Sequence, residues 1–251
     1  MKIGGVEVGR IGLGTNRLTR TAQNIAFIKA AVGAGVQLID TAHLYTGGQS
    51  EETIGAALFP PPDNVIVETK GGFNGGSPAA IRTEIDESLR RLRAKSISLY
   101  YLHRVDPNVP IETSLAAIKD YVDRGVIRNV GVSQVTVEHI ERARKVVPIA
   151  AVQQWYSLSE RKYDAEVDYC THEGIPFVPF YPLHGAEGRA LEEIARRKGA
   201  TARQIALAWL LKRSPVMLPI PGTLSLGHLE ENLAAQHIEL SDEEFEALRH
   251  A

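Results

Sequence analysis

The chain has 251 residues, of which 23% are charged, and its formal net charge is −2. This near-neutral balance excludes strong electrostatic attraction to nucleic acid or to an anionic membrane, and a small molecule is the expected partner. A single cysteine excludes an intrachain disulfide, and with no signal-peptide pattern and no run of ~18 apolar residues we expect a soluble cytoplasmic protein without a membrane partner.

The chain opens with "KIGGVEV" (2–8), in which Gly4 and Gly5 separate two short alternating segments and predict a β-hairpin. Eight apolar or alternating runs then follow at fairly even spacing and predict strands at 10–14, 36–40, 65–70, 98–103, 129–133, 149–154, 176–180 and 216–222. Segments of helical period lie between them, and examples are 79–92, 111–125 and 137–146. Strands that alternate with helices pair in parallel, and eight such units in about 250 residues predict an α/β fold, a (β/α)8 TIM barrel.

Helix-boundary residues support this segmentation. Ser50 precedes "EETIGAAL" and is expected at a helix start, with Glu51 and Glu52 in the first turn, where they complement the helix dipole. Gly125 and Gly174 follow two helical patterns and predict helix ends. Because no linker or low-complexity tract divides the chain, we expect residues 1–251 to form one barrel domain with an N-terminal hairpin.

Polar residues end several of the predicted strands, which is where (β/α)8 barrels carry their active sites. These strand-end residues are Asp40, Lys70, His103, Ser133, Gln153 and Gln154, and Tyr45 lies in the loop after the first of them. Taken singly, Asp40 could be a structural ion-pair partner, Lys70 a solvated strand end and His103 a packed core residue. Their occurrence at equivalent ends of three successive strands favours a shared site.

The residue types in this group suit acid catalysis. Tyrosine has a reference pKa near ~10 and is a weak acid unless a nearby cation favours the phenolate. Lys70 could supply that cation, Asp40 could hold the ammonium, and His103 could orient a carbonyl or relay a proton. Such an acid would protonate a developing alkoxide, which requires a hydride source. The histidines are scattered without ligand spacing, so we expect no metal site.

The sequence resembles the aldo-keto reductase family over essentially its whole length, and it is most similar to the short bacterial members of that family. The matching stretches follow the family order: "IGLGTNRLT", "LIDTAHLYTGGQSEETIG", "VETKGG", "YLHRVDP", "GVIRNVGVSQ", "VQQWYSL", "GIPFVPFYPL" and "LPIPGTLSLGHLEENLAA". The resemblance implies a (β/α)8 barrel that reduces aldehydes and ketones with NADPH and has no Rossmann domain. It also implies a catalytic tetrad of Asp40, Tyr45, Lys70 and His103, with Tyr45 as the general acid.

The resemblance further implies which residues bind NADPH. At the nicotinamide end, Ser133, Gln134 and Gln153 would hold the carboxamide, although Gln134 stands where the family usually has Asn, and Phe180 would stack on the ring. At the adenosine end the implied contacts are Gly222, Thr223, Ser225, His228, Glu231 and Asn232.

The resemblance also predicts how strongly NADPH is preferred over NADH. Gly222 and His228 replace the family's Lys and Arg, so we expect NADPH to be preferred with weaker discrimination. The short link after the seventh strand, within 181–195, predicts fast cofactor release.

The predicted substrate is a small aldehyde, ketone or dicarbonyl, and we expect a monomer. Candidate pocket residues are Asn16, His43, Leu44, Phe73, Arg104, Trp155 and Tyr156. Trp155 is the best candidate for a substrate contact, whereas His43 could either line the pocket or pack beneath it. A helix is predicted over 241–251, and with no extended tail after it we expect an open pocket. Two alternatives stay open: a lyase or aldolase with a Schiff base on Lys70, and an NADPH-binding regulatory module with little turnover.

Overall fold

The computed structural model describes residues 1–249. A two-stranded antiparallel hairpin comes first and a seven-stranded parallel sheet follows, its strands adjacent in chain order. The strands are β1 (Lys2–Ile3), β2 (Val6–Glu7), β3 (Leu13–Gly14), β4 (Leu38–Asp40), β5 (Ile66–Gly71), β6 (Leu99–Leu102), β7 (Val130–Ser133), β8 (Ile149–Trp155) and β9 (Phe177–Phe180).

Helices connect the strands of the parallel sheet, as the sequence predicted. They are α1 (Ala22–Gly33), α2 (Gln49–Leu58), α3 (Pro78–Leu92), α4 (Ile111–Asp123), α5 (Val137–Arg144), α6 (Asp164–Glu173), α7 (Arg189–Lys198), α8 (Ala202–Arg213), α9 (Leu226–Ala234) and α10 (Asp242–Arg249), with short 3-10 turns at Tyr45–Gly48 and Ala235–His237. Of the last predicted helix, His250 and Ala251 lie outside the described residues. No helix in residues 1–249 has the length and apolar character needed to cross a bilayer.

The eighth predicted strand, 216–222, closes the barrel without forming a regular strand. On one side, the N–H groups of Leu218 and Ile220 donate to carbonyls of β9 at 2.9 and 3.1 Å. On the other side, the segment meets the start of the sheet through an isolated parallel bridge between Gly14 and Gly222. The (β/α)8 barrel is therefore confirmed, but the last segment departs from regular strand geometry.

Two prolines explain that departure. Pro219 and Pro221 have no N–H, so on the side facing β3 the segment can only accept hydrogen bonds. Their carbonyls accept from the N–H groups of Gly12 and Gly14 at 2.9 and 3.2 Å. On this side the segment therefore keeps only the hydrogen bonds that its carbonyls accept, and these bonds join the last segment of the barrel to the first.

The N-terminal hairpin closes the end of the barrel opposite the strand carboxyl ends. Gly4 and Gly5 adopt φ values of 54° and 87°, the left-handed region that a two-residue turn of this kind requires. Ile3 and Val8 are buried in one apolar cluster with residues that begin the central strands, such as Leu38. The predicted hairpin is confirmed.

The beginning of α2 differs from the prediction for Ser50. The helix starts at Gln49, two residues earlier than predicted, after Gly48 in the left-handed conformation with φ 91°. Ser50 is buried inside the first turn, where its hydroxyl lies 2.8 Å from that of Thr15 and 2.7 Å from that of Thr41. It joins the helix to the loops after β3 and β4, so its interpretation as the residue that starts the helix was wrong.

Candidate active site

A cavity of about 1150 Å³ opens at the carboxyl ends of the strands. Side chains alternate along a strand, so residues two apart point to the same face. In β5, Ile66 packs in the barrel interior and Lys70 follows at the same parity, and the same holds for Leu38 and Asp40 in β4. This alternation explains why polar residues from separate strands converge at one end of the barrel.

Asp40, Lys70 and Tyr45 form one connected group at the base of the cavity. The ammonium Nζ of Lys70 lies 2.6 Å from Asp40 Oδ1 and donates to the Tyr45 hydroxyl at 3.2 Å and to the Thr41 carbonyl at 2.7 Å. Lys70 is fully buried and Asp40 is 2% exposed. The ion pair expected from the sequence is present, and the tyrosine oxygen lies next to it.

The backbone after β4 brings Tyr45 to this position. The N–H of His43 donates to the Lys70 carbonyl at 2.9 Å and extends the pairing of the two strands by one step. Tyr45 then begins a 3-10 turn that contains Thr46 at φ 50° and Gly47 at φ 66°. The chain reverses within five residues of Asp40, which returns the tyrosine hydroxyl to the lysine.

Burial and charge set the protonation states of this group. Desolvation raises the pKa of Tyr45 more than the Lys70 ammonium lowers it, so the phenol is protonated at neutral pH. Burial is the largest single effect on the pKa of Lys70 and acts to lower it, but the charge and hydrogen bond of Asp40, together with smaller contributions from Tyr45 and Glu68, outweigh burial and the pKa is raised. The expectation that Lys70 would favour the phenolate therefore holds only in direction, because desolvation of the phenol is the larger effect.

His103 follows β6 and lies over the same end of the barrel. Its ring meets Tyr45 and Phe73 edge-on, with centroid distances of 6.0 and 5.0 Å. Burial, with the nearby charges of Lys70 and Arg104, lowers the pKa of His103 to about 2, so its imidazole is neutral at physiological pH. Its Nδ1 is buried and has no hydrogen-bond partner within residues 1–249.

The predicted nicotinamide contacts lie beside this group. Ser133 ends β7 in register with Gln153 of β8, and its buried hydroxyl has no partner among the described residues. Gln153 donates from Nε2 to Asp40 Oδ1 at 2.8 Å, so part of its amide is already bonded inside the barrel. Gln134 lines the cavity with φ 53°, a conformation that Asn adopts more readily. Phe180 ends β9 on the cavity wall.

Of the predicted adenosine contacts, only Gly222 and Thr223 line the cavity. Ser225 caps α9, since its hydroxyl accepts from the N–H of His228 at 3.4 Å, and the His228 side chain is exposed. The remaining two lie further along the same helix. Glu231 accepts from the Thr201 hydroxyl at 2.5 Å, and Asn232 is buried.

Two arginines on the cavity wall were missed in the sequence. Arg17 follows β3, and Arg203 lies in the first turn of α8. Both are exposed, and neither forms an ion pair or hydrogen bond through its side chain within residues 1–249. Helical periodicity could have placed Arg203 on a helix but not on the face turned toward the cavity.

His43 does not lie where the sequence suggested. Its Nε2 is 2.6 Å from the carboxylate of Glu87 on α3, and the Arg91 guanidinium donates to its carbonyl at 2.8 Å. The imidazole is therefore held against α3 and His43 is not among the residues that line the cavity, so a substrate contact through His43 stays a prediction that this geometry does not favour. The attraction of an acidic residue 44 positions along the chain accounts for the difference.

Trp155, in contrast, lines the cavity at the end of β8 and is 38% exposed. Its ring meets those of Tyr181 and His184 edge-on, at centroid distances of 6.1 and 5.6 Å. Of the other wall candidates, Asn16, Leu44 and Phe73 line the cavity. Arg104 instead stacks on Phe73 at 4.2 Å from the ring centroid, and Tyr156 is buried with its hydroxyl 2.5 Å from Asp164.

The segment between β9 and α7 is eight residues long, 181–188, and its first four residues line the cavity. Within residues 1–249, no group of three or more acidic, histidine or cysteine side chains could hold a metal ion. The site thus offers a protonated phenol, a buried cation beside it and a neutral imidazole, in a cavity whose lining extends to Arg203 of α8.

The chain matches the model of the Aldo/keto reductase family over residues 10–189 and 186–251. It is 38% identical to an uncharacterized oxidoreductase of Schizosaccharomyces pombe, over 99% of this chain and 88% of that protein. It is 36% identical to pyridoxine 4-dehydrogenase of Escherichia coli, over 87% of this chain and 83% of that protein. An aldo/keto reductase from Klebsiella pneumoniae, solved with NADP and acetate, superposes with a TM-score of 0.89 at 30% identity and covers 99% of this chain and 93% of its own.

Proposed function

The chain belongs to the aldo-keto reductase family, and from that premise we propose that it reduces aldehydes or ketones to alcohols with NADPH, with Tyr45 as the general acid. One observation carries the assignment of the acid: the Tyr45 hydroxyl lies 3.2 Å from a buried ammonium that is itself paired with a carboxylate. When bound, NADPH would supply the hydride.

Each residue of the group then has a distinct task. Tyr45 holds the proton that the carbonyl oxygen receives, and Lys70 stabilises the negative charge left on the phenol oxygen. Asp40 keeps Lys70 charged and fixes its position. His103 is neutral, so its imidazole can hydrogen-bond a substrate oxygen without adding charge to the site.

NADPH consumption against a panel of aldehydes, ketones and dicarbonyls tests this function directly. Pyridoxine and its 4-aldehyde form the first substrate pair to include, because one relative is named as pyridoxine 4-dehydrogenase. Three aromatic side chains on the cavity wall, Phe73, Trp155 and Tyr181, suit a flat ring. Tight NADPH binding with no turnover across the panel would instead favour the regulatory alternative.

The Schiff-base alternative receives less support. A Schiff base requires the neutral amine of Lys70, whereas Asp40 at 2.6 Å raises the pKa of that amine and keeps it charged. Borohydride trapping of a carbonyl compound on Lys70 would revive this alternative.

The residues around the cavity also fit NADPH. The unpartnered Ser133 hydroxyl is a buried polar atom that a carboxamide would satisfy, with Gln134 and Gln153 beside it. Phe180 would stack on the nicotinamide. Thr223 would lie near the adenosine phosphate. Because Gly222 and His228 supply little charge, we assign the missing positive charge to Arg203, with Arg17 as a second cation on the wall.

Arg203→Ala is therefore expected to raise the Kd of NADPH by about tenfold and to change the Kd of NADH by less than about twofold. A guanidinium bonded to a phosphate is worth about 1.5 kcal/mol or more, and only NADPH carries the extra phosphate. Quenching of tryptophan fluorescence measures both constants.

Arg128→Ala is the matched control, because Arg128 is an exposed arginine just before β7, at the end of the barrel opposite the cavity. Equal weakening of both cofactors in Arg203→Ala would show that Arg203 does not discriminate between them. A higher kcat/KM with NADH in the unsubstituted protein would overturn the NADPH preference itself.

The short 181–188 segment predicts fast release of the cofactor. With only eight residues between β9 and α7, the segment encloses less of a bound dinucleotide than a long loop would. Stopped-flow fluorescence should show NADP+ release in one fast phase, with a rate constant well above kcat. A slow phase whose rate is independent of cofactor concentration would indicate a closure step and contradict the prediction.

A further inference from the structure

A second carboxyl group lies directly beneath the Asp40–Lys70 pair and has no part in the mechanism above. Glu68 is on β5, two residues before Lys70, and is paired in register with Asp40 of β4. Because residues two apart share a face of the strand, Glu68 and Lys70 both point into the barrel. Glu68 is fully buried.

Hydrogen bonds connect Glu68 to the candidate acid. The Tyr101 hydroxyl of β6 donates to Glu68 Oε2 at 3.0 Å. The Gln153 amide of β8 donates to Asp40 at 2.8 Å and lies 3.4 Å from Glu68 Oε1, so it bridges the two carboxyl groups. Since Asp40 holds Lys70 and Lys70 contacts Tyr45, an unbroken chain of contacts runs from the barrel interior to the phenol.

The buried charges of these connected side chains do not balance unless one of the two carboxyl groups carries a proton. The titratable groups that face Glu68 are Asp40, Lys70 and Tyr101. Counted with Glu68 itself, the group holds two carboxyl groups, one ammonium and one phenol. Burial, and then the neighbouring Asp40 carboxylate, raise the pKa of Glu68 well above its usual range, with a hydrogen bond to Asp40 acting in the same direction. A second buried carboxylate without a cation would be strongly unfavourable.

We propose that Glu68 is a positioning residue that carries a proton at neutral pH and donates a hydrogen bond to Asp40, and that it thereby sets the proton affinity of Tyr45 through the Asp40–Lys70 pair. The effect on Tyr45 rests on the proposed reductase function, whereas the protonated state of Glu68 does not.

The direction of the effect follows from the hydrogen bond. A carboxylate that accepts a bond from Glu68 has part of its charge satisfied, which leaves more of the Lys70 field for the Tyr45 oxygen. Without that donor, Asp40 would hold Lys70 more strongly and disfavour the phenolate. Alcohol oxidation requires the phenolate as base, so its rate should then rise only at a higher pH.

Two variants of matched size test this role. Glu68→Met fills the space but cannot donate to Asp40, and it should move the pH of half-maximal kcat for alcohol oxidation upward by about one unit, which lowers the rate about tenfold below that pH. Glu68→Gln keeps a donor without an ionisable proton and should restore the midpoint of the unsubstituted protein. Midpoints in both variants equal to that of the unsubstituted protein would show that Glu68 only fills space, and midpoints raised equally in both would contradict its role as a hydrogen-bond donor.

Infrared difference spectroscopy tests the proton directly and needs no turnover. The spectrum of the unsubstituted protein minus that of Glu68→Gln at neutral pH should contain the C=O stretch of a protonated carboxylic acid. Carboxylate bands in its place would overturn the proposal. If Glu68→Met fails to fold, Glu68→Leu replaces it as the variant without a donor. The infrared result decides the protonation state of Glu68 even if the protein proves not to be a reductase.

Discussion

Tyr45→Phe is expected to lower kcat for carbonyl reduction roughly 100- to 10,000-fold, the range that a positioned general acid contributes. The substitution removes one oxygen and leaves the ring in contact with His103. Lys70 keeps its bonds to Asp40 and to the Thr41 carbonyl, so the charge beneath the ring is unchanged. The Kd of NADPH should therefore stay within about twofold, and steady-state kinetics with fluorescence titration measures both.

Tyr163→Phe is the matched control for this substitution. Tyr163 precedes α6, away from the cavity wall, and the same loss of a hydroxyl there should leave kcat unchanged. Near-full activity in Tyr45→Phe would mean that another group protonates the substrate and that the role assigned to Tyr45 is wrong. A large loss of NADPH affinity would indicate damage to the cavity and not loss of an acid.

The convergence of Asp40, Lys70 and His103 could be predicted because it depends on local rules. Each ends an apolar run, side chains alternate along strands, and parallel strands present their carboxyl ends at one edge. The position of Tyr45 needed the family resemblance as well, because no local rule fixes how a loop folds back over the barrel.

Features that depend on contacts between distant segments could not be predicted. His43 stands between Asp40 and Tyr45, yet Glu87 on α3 draws its imidazole out of the cavity. Arg203 reaches the cavity wall only because of how α8 packs, which periodicity does not determine. Glu68 has the same strand parity as Lys70, which places it inside the barrel, but it lies within the predicted strand and not at its carboxyl end, where barrel active sites are expected.

The buried Asp40–Lys70 pair predicts a second large effect. Lys70→Met should reduce kcat by about 100-fold or more, because the phenol loses the cation that stabilises its anion. It should also lower the free energy of unfolding by about 3–5 kcal/mol, because a carboxylate that is 2% exposed would lose its counter-ion. Denaturant unfolding at several pH values measures the loss.

The pH dependence and a matched control identify the cause of that loss. Asp40 can relieve the cost only by taking up a proton, so the deficit of Lys70→Met should shrink as pH falls, and Asp40→Asn added to Lys70→Met should recover part of it at neutral pH. Lys119→Met breaks an exposed pair with Asp123 of the same 2.6 Å length and should cost less than about 1 kcal/mol. Similar losses in Lys70→Met and Lys119→Met would mean that the pair in the barrel is as well solvated as one on the surface, and the electrostatic basis assigned to the Tyr45 acid would fail with it.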